Sequence, residues 1–276
     1  MESFFKRKRI IIFIIVSVFI IIFWYYNNNT IAVNRVKITS DKVKSKITFV
    51  QLCDLHGKVF GDNNETLLNK ISKISPDFIC VTGDMFTRND VNGQNVAVSL
   101  LKRLSEKNKV FFVRGEHDGS EKFLEELNNV GVNVLSDQKK SIEINNNTID
   151  IYGIGAVYFP ESYNLDNVFD NPDPNHYNIL MAHILNFEAY KSFGADITIV
   201  GDTHGGQVRL PFIGPVIYEN TWFPAFNYSG AVYDKGKYSV DGFDFYVSSG
   251  LGSYPYDIRL FNRPEIAVFD ILPKGE

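Results

Sequence analysis

Five short stretches bring together side chains able to hold divalent metals: Asp54-Leu55-His56, Gly83-Asp84, Gly115-Glu116-His117-Asp118, His183, and Gly201-Asp202-Thr203-His204. Carboxylate oxygen and imidazole nitrogen are ligands for Zn, Mn and Fe. Each stretch alone is weak. A D-x-H arises by chance, a G-D is commonly a turn, and Asp118 with Glu121 could merely cap the helix in "SEKFLEELNN". Together they are more telling, because four of the five histidines lie in them and each closes an apolar run. His176, in "PDPNHY", stands apart and reads as a loop residue.

The elements that must position these residues follow from periodicity. "IAVNRVKI" and "KITFVQLC" read as strands, the second ending at "DLHG". Leu67, Leu68, Ile71 and Ile74 share one helical face, and Pro76 stops that helix before the strand "DFICVT". A helix from Val96 to Lys107, the strand "KVFFV" and the loop "RGEHDG" repeat the scheme. "SIEINNNTIDIYGIG" reads as a hairpin around Asn145 to Asn147, and "YNILMAH" and "ADITIVGDTH" are strands ending at His183 and His204. Helix, strand and polar loop alternate, so the expected fold is α/β and layered, with its site along one sheet edge. The aromatic, Gly-rich segment from Tyr218 to Tyr246 reads as β-hairpins, serving either core packing or a pocket for a lipid or sugar.

The first residues have a different character. Lys6-Arg7-Lys8-Arg9 precedes an uncharged run of 17 residues, Ile10 to Tyr26. As a helix it would span roughly 26 Å, against roughly 30 Å for a bilayer's hydrocarbon core. Trp24, Tyr25 and Tyr26 suit an interface. A cleaved signal peptide and a buried helix are the alternatives, but no small-x-small site stands near "WYYNNNT". The expected division is an anchor over residues 1–30 and one domain over 31–276. No Lys or Arg follows the apolar run until Arg35, so the positive-inside rule puts the N-terminus in the cytoplasm and the domain outside the cell membrane. Without the N-terminal stub, 24 basic and 31 acidic residues remain, which argues against nucleic acid as a partner. Cys53 and Cys80 have no metal spacing and read as buried free thiols on opposite strand faces.

In order and spacing, "DLH", "GD", "GEHD", "H" and "GDTHGGQ" resemble the blocks of the calcineurin-like metallophosphoesterase superfamily: D-x-H, G-D, G-N-H-D/E, H and G-H-x-H. "GGQVRLPFIGP" and "GLGSYPYDIRLFNRPEIAVFDI" further resemble a membrane-associated bacterial branch that includes UDP-2,3-diacylglucosamine pyrophosphatase-like enzymes. The resemblance implies an α/β layered β-sandwich flanked by helices, and two divalent metal ions. Asp54, His56 and His204 would bind one, Asp84 would bridge, and His183, Glu116 and Asp202 would complete the second. It also implies that His117, oriented by Asp118, protonates the leaving oxygen or stabilises its charge.

Glu116 and Asp202 stand where the family has Asn and His. With two divalent ions and a bridging hydroxide, the site charge becomes about −1 instead of about +1. Among Mn, Zn, Fe and Mg, such a site suits Mn or Mg at the second position; the alternative is a one-metal site, with Glu116 swung out or the added charge keeping hydroxide from bridging. Arg209 and Arg259 follow glycine-containing turns and could reach a phosphate, or form ordinary salt bridges. The implied activity is hydrolysis of a phosphomonoester, phosphodiester or pyrophosphate, with a lipid-linked substrate made convenient by the anchor. The alternative is a non-catalytic binding protein on the same fold.

Overall fold

The computed structural model describes all residues except 1, 157, 159–162, 219–220, 223–232 and 276. A first sheet is made by β1 (Ala32–Ser40), β2 (Ile47–Leu52), β3 (Phe78–Val81), β4 (Lys109–Phe112) and β5 (Asn133–Val134), joined later by the C-terminal strand. A second contains β6 (Gln138–Ile144), β7 (Asn147–Gly153), β8 (Tyr177–Met181) and β9 (Ile197–Val200). Two short hairpins follow, β10 (Arg209–Leu210) with β11 (Gly214–Pro215), and β12 (Ile217–Tyr218) with β13 (Thr221–Trp222). Then β14 (Gly236–Val240) and β15 (Phe243–Val247) extend the second sheet, and β16 (Glu265–Pro273) returns to the first. The strand orders are β1-β16-β2-β3-β4-β5 and β14-β15-β9-β8-β7-β6. Strands β2 to β5 are mutually parallel, as are β7, β8, β9 and β15.

Period-two alternation assigns each side chain its layer. Phe49, Phe78, Cys80, Phe111, Phe269, Ile179 and Ile199 point between the sheets and form the central core. Phe49 stacks between Phe78 and Phe269, at centroid distances of 5.1 and 4.5 Å. Their neighbours Val50, Leu52, Ile79, Val81 and Val268 face outward to α2 (Glu65–Ile74), α3 (Val91–Ser105) and α4 (Glu121–Asn129). On the far side, Leu180, Val200 and Phe245 pack against α5 (Phe187–Phe193). The architecture is therefore the expected sandwich flanked by helices. α1 (Glu2–Asn29) precedes it, and its stretch Phe4–Asn29 is long and apolar enough to cross a membrane.

Several local expectations shift. α3 begins at Val91, not Val96, because the Asp90 carboxylate caps it by accepting from Gly93 N at 2.9 Å. Asn92, Gly93 and Asn95 are weak helix formers and hide that first turn from periodicity. α4 is capped by Ser120, which accepts from Phe123 N, and not by Asp118. The hairpin at Asn145 is present as β6–β7. Part of the aromatic segment Tyr218 to Tyr246 lies outside the described residues. Within the rest, Tyr233, Tyr238, Phe243 and Phe245 pack with Phe187 on the outer face of the second sheet. Cys53 and Cys80 are buried and free.

Candidate metal centre

The first sheet delivers three of the stretches. Asp54 and His56 follow β2, Asp84 follows β3, and residues 115–118 follow β4. Parallel pairing continues past the strand ends, since Asp54 N donates to Gly83 O at 2.9 Å and His56 N to Asp84 O at 3.1 Å. The second sheet adds His183 after β8 and Asp202 and His204 after β9. A buried Gln51 joins the sheets beneath, donating to Thr82 Oγ1 and Val200 O at 2.9 Å each.

The side chains converge. His56 Nε2 and His204 Nε2 face each other at 3.2 Å, with Asp54 Oδ1 3.9 Å from His204 Nε2. Asp84 Oδ2 sits centrally, 3.4 Å from His183 Nε2, 3.8 Å from His56 Nε2 and 3.9 Å from His117 Nε2. Asp202 Oδ1 lies 3.8 Å from His183 Nε2. Three sets with metal-ligand spacing result: Asp54 with His56 and His204, His56 with Asp84 and His117, and Asp54 with Asp84 and His183.

The donor chemistry fits a cation. His183 Nδ1 is 2.7 Å from Thr82 O, which fixes the neutral ring's proton on Nδ1 and turns Nε2 toward the cluster, where the carboxylates favour a second proton that a cation would displace. That Nε2 and Asp54 Oδ2 are buried without a hydrogen-bond partner. Such orphaned acceptors are costly unless something positive meets them.

Electrostatics describe the same cluster. Burial, helped by the Asp84 charge, pushes Asp54 up to about 7. Burial also works against a charged Asp84, but His183 and the His117 backbone N–H prevail and hold it at about 2. Burial lowers His56 to about 4 and pulls His204 well below its ordinary value. For His183 burial is overcome by Asp84, Asp54 and Asp202, which raise it well above.

The other expected residues are placed less centrally. Glu116 belongs to none of the three sets; its carboxylate raises the pKa of the nearby Tyr158 hydroxyl. Asp118 does not orient His117. Its two oxygens accept from Met85 N at 2.8 Å and Gly115 N at 2.6 Å, tying the loops after β3 and β4 together. His117 is instead held by Arg88 N, which donates to its Nδ1 at 3.2 Å and leaves Nε2 to carry the neutral ring's proton toward the cluster.

Both arginines serve the fold. Arg259 is fully buried, and its guanidinium donates to the carbonyls of Gly252, Ser249 and Asn262. Arg209 pairs with Asp234 and donates to Gly205 O at 2.8 Å. His176 stands away from the cluster, 3.1 Å from Asp150.

Sequence reasoning missed Tyr254. Its ring stacks on His56 at 5.1 Å and meets His117 edge-on at 4.5 Å, forming a wall of the site. The signal was present in "GLGSYPY", since an aromatic flanked by Gly and Pro marks a turn, yet nothing local ties that turn to residues two hundred positions earlier. Arg88, which also donates to Glu116 O at 2.6 Å, was likewise invisible.

An α/β sandwich with imidazoles and carboxylates gathered at the C-terminal ends of strands from both sheets is the frame of a metal-dependent hydrolase. The chain belongs to the calcineurin-like phosphoesterase family, whose model matches residues 47–206. It is similar to the uncharacterized metallophosphoesterase YkuE of Bacillus subtilis, with 26% identity over 80% of this chain and 78% of that protein. It is also similar to the phosphodiesterase YaeI of Escherichia coli, with 26% identity over 71% of each chain. The UDP-2,3-diacylglucosamine pyrophosphatase LpxG of Chlamydia muridarum is 22% identical over 82% of this chain and 84% of its own. Members of the family typically hold two divalent metals, in keeping with the carboxylate and imidazole sets here.

Proposed function

We propose that residues 31–276 form a phosphoesterase domain held at the outer face of the cell membrane by residues 1–30. It hydrolyses a phosphodiester, pyrophosphate or phosphomonoester of a small molecule or lipid-linked compound. The observation that carries this reading is the meeting of Asp54, Asp84, His56, His183 and His204 around two buried, unpartnered acceptor atoms. The names of the phosphodiesterase and pyrophosphatase relatives support the substrate class. The basic stub ahead of the apolar helix supports the topology.

In this reading Asp54, His56 and His204 hold one ion, His183 and Asp202 belong to the other, and Asp84 lies between. When bound, the ions supply an activated water and neutralise phosphoryl charge. The chain's own part is to position and to stabilise charge. His117 Nε2–H stands at the mouth and stabilises the charge on the leaving oxygen by a hydrogen bond as the phosphorus–oxygen bond breaks and water's oxygen joins phosphorus, the proton released by the water passing to the leaving oxygen. Tyr254 keeps the His56 and His117 rings in place and excludes water from one side. Mn is favoured at the carboxylate-rich second position, with Mg, Zn and Fe as competitors.

A binding protein without turnover is the second reading, favoured by the place of Glu116 outside the three metal-ligand sets. Metal content per chain, measured on protein purified without chelator and paired with hydrolysis of bis-p-nitrophenyl phosphate under added Mn, Zn, Mg and Fe, separates the two. Two metals with turnover support the enzyme. One metal or none, with no turnover under any ion, leaves the binding reading.

A further inference from the structure

The domain carries exposed apolar residues on one continuous strip beside the end of α1. Phe212 and Ile213, at the tip of the β10–β11 hairpin, are 109% and 56% exposed. Tyr256, Ile258 and Phe261, in the loop before β16, are 74%, 44% and 49% exposed. Phe212 and Phe261 both have left-handed backbones, φ 67 and 52, which bulky side chains rarely adopt. The fold thus holds two aromatic rings outward when packing would turn them in.

The two segments are one surface. Val208 bridges Leu260, Arg209 N donates to Leu260 O at 3.0 Å, and Leu260 N to Gln207 O at 3.2 Å. That surface is fixed to the helix. The Phe261 ring lies 5.2 Å from Phe23, inside the apolar run of α1, and the Arg263 guanidinium covers the Tyr26 ring at 4.4 Å. A groove of about 290 Å³ at this junction is lined on one side by Phe23, Tyr26 and Phe261 and on the other by Lys235 and Arg263. Phe261 therefore sits at the depth of the outer end of the span, with cations at the level of lipid headgroups. Exposed apolar strips of this kind rimmed by positive charge mark lipid contact.

We infer that the hairpin tip at Phe212–Ile213 and the loop at Tyr256–Phe261 insert into the headgroup region of the bilayer that α1 spans, so that the domain lies on the membrane by a second, peripheral contact. This inference rests on the anchored reading of α1. The occupant of the strip is the lipid surface itself, because the strip is continuous with the only described helix that is long and apolar enough to cross a membrane.

The test uses the full chain with Phe212→Cys, labelled with an environment-sensitive fluorophore and reconstituted in vesicles of phosphatidylcholine and phosphatidylglycerol. Cys53 and Cys80 are each 0% exposed and stay unlabelled. Ile213→Cys repeats the measurement, and Lys140→Cys, on the exposed face of β6 at the opposite edge of the second sheet from β14, is the control. The expected result is a blue shift at 212 and 213, with loss of emission when the lipids carry a shallow-depth quencher, and neither change at 140. Three results overturn it. Water-like emission at 212 and 213 in a chain that floats with the vesicles removes the peripheral contact alone. Failure of the chain to float removes the anchor as well. A blue shift that follows protein concentration but ignores the lipid quencher assigns the strip to a second copy of the chain.

Discussion

Asp54, His56, Asp84, Asp202 and His204 all hold φ between 48 and 71, a region that non-glycine residues rarely adopt. Sharp left-handed turns at strand ends aim these side chains into one volume, which the stability of the sheets beneath sustains. The orphaned Asp54 Oδ2 and His183 Nε2 make the cluster costly without a cation. Added Mn should therefore raise the melting temperature of chelator-treated protein, by about 2.7 kcal/mol of added stability at a hundredfold excess over Kd. Differential scanning calorimetry reads this directly, and an unchanged melting temperature under all four candidate metals would remove the metal assignment. His117→Ala should lower kcat by about a hundredfold or more with metal content unchanged, the loss usual for a hydrogen-bond donor to charge developing in the transition state. The same variant losing metal instead would make His117 a ligand. Glu116→Asn with Asp202→His removes two negative charges, so phosphodiesterase activity should rise if anionic repulsion of the substrate limits the site. No rise counts against that account. Arg259→Met should act on stability and not on KM, because its guanidinium serves three backbone carbonyls in the interior. Three stranded acceptors predict a loss of about 3 kcal/mol in urea unfolding.

The strand ends explain why so much of the centre was legible and where legibility stops. Parallel strands put their C-termini on one edge, so each apolar run that closes on an Asp or His could be assigned to a common site before any geometry was known. Asp54, His56, Asp84, His183 and His204 meet as that logic requires. Orientation was not legible. Asp118 looked like a partner for its neighbour His117, yet adjacent residues diverge, and its carboxylate turns inward to Met85 N and Gly115 N. Glycines mark where loops pass too closely for a side chain: a Cβ on Gly115 would lie 2.2 Å from Asp84 Oδ1. The return of β16 between β1 and β2 left no local trace, because its partners lie more than two hundred residues earlier in the chain. For the same reason Tyr254, carried by the loop ahead of β16, escaped notice. Its position was set by long-range pairing, which periodicity does not record.

At the scale of the whole molecule, the junction between α1 and the domain is a built contact and not a loose tether. Asn27 and Asn28 are 3% and 2% exposed. Asn28 Oδ1 accepts from Arg259 N at 2.6 Å while its Nδ2 donates to Arg259 O at 3.0 Å, and Asn27 Oδ1 accepts from Phe261 N at 2.8 Å. The polar break "NNNT" thus clamps the same segment that carries Tyr254 at one end and feeds β16 at the other. A helix joined in this way is held at a fixed height and tilt relative to the candidate metal centre. Asn28→Ala in the detergent-solubilised full chain should cost roughly 1–3 kcal/mol, the range for leaving a buried backbone N–H and C=O unpaired together. Asn29→Ala is the control, since Asn29 Nδ2 reaches only Tyr25 O at 3.4 Å within its own helix. The readout that distinguishes a clamp from a linker is Tyr254: limited proteolysis across residues 252–262 should accelerate in Asn28→Ala and stay unchanged in Asn29→Ala. Equal behaviour of the two variants would mean that helix and domain move independently and that the fold does not set the helix's position relative to the cluster.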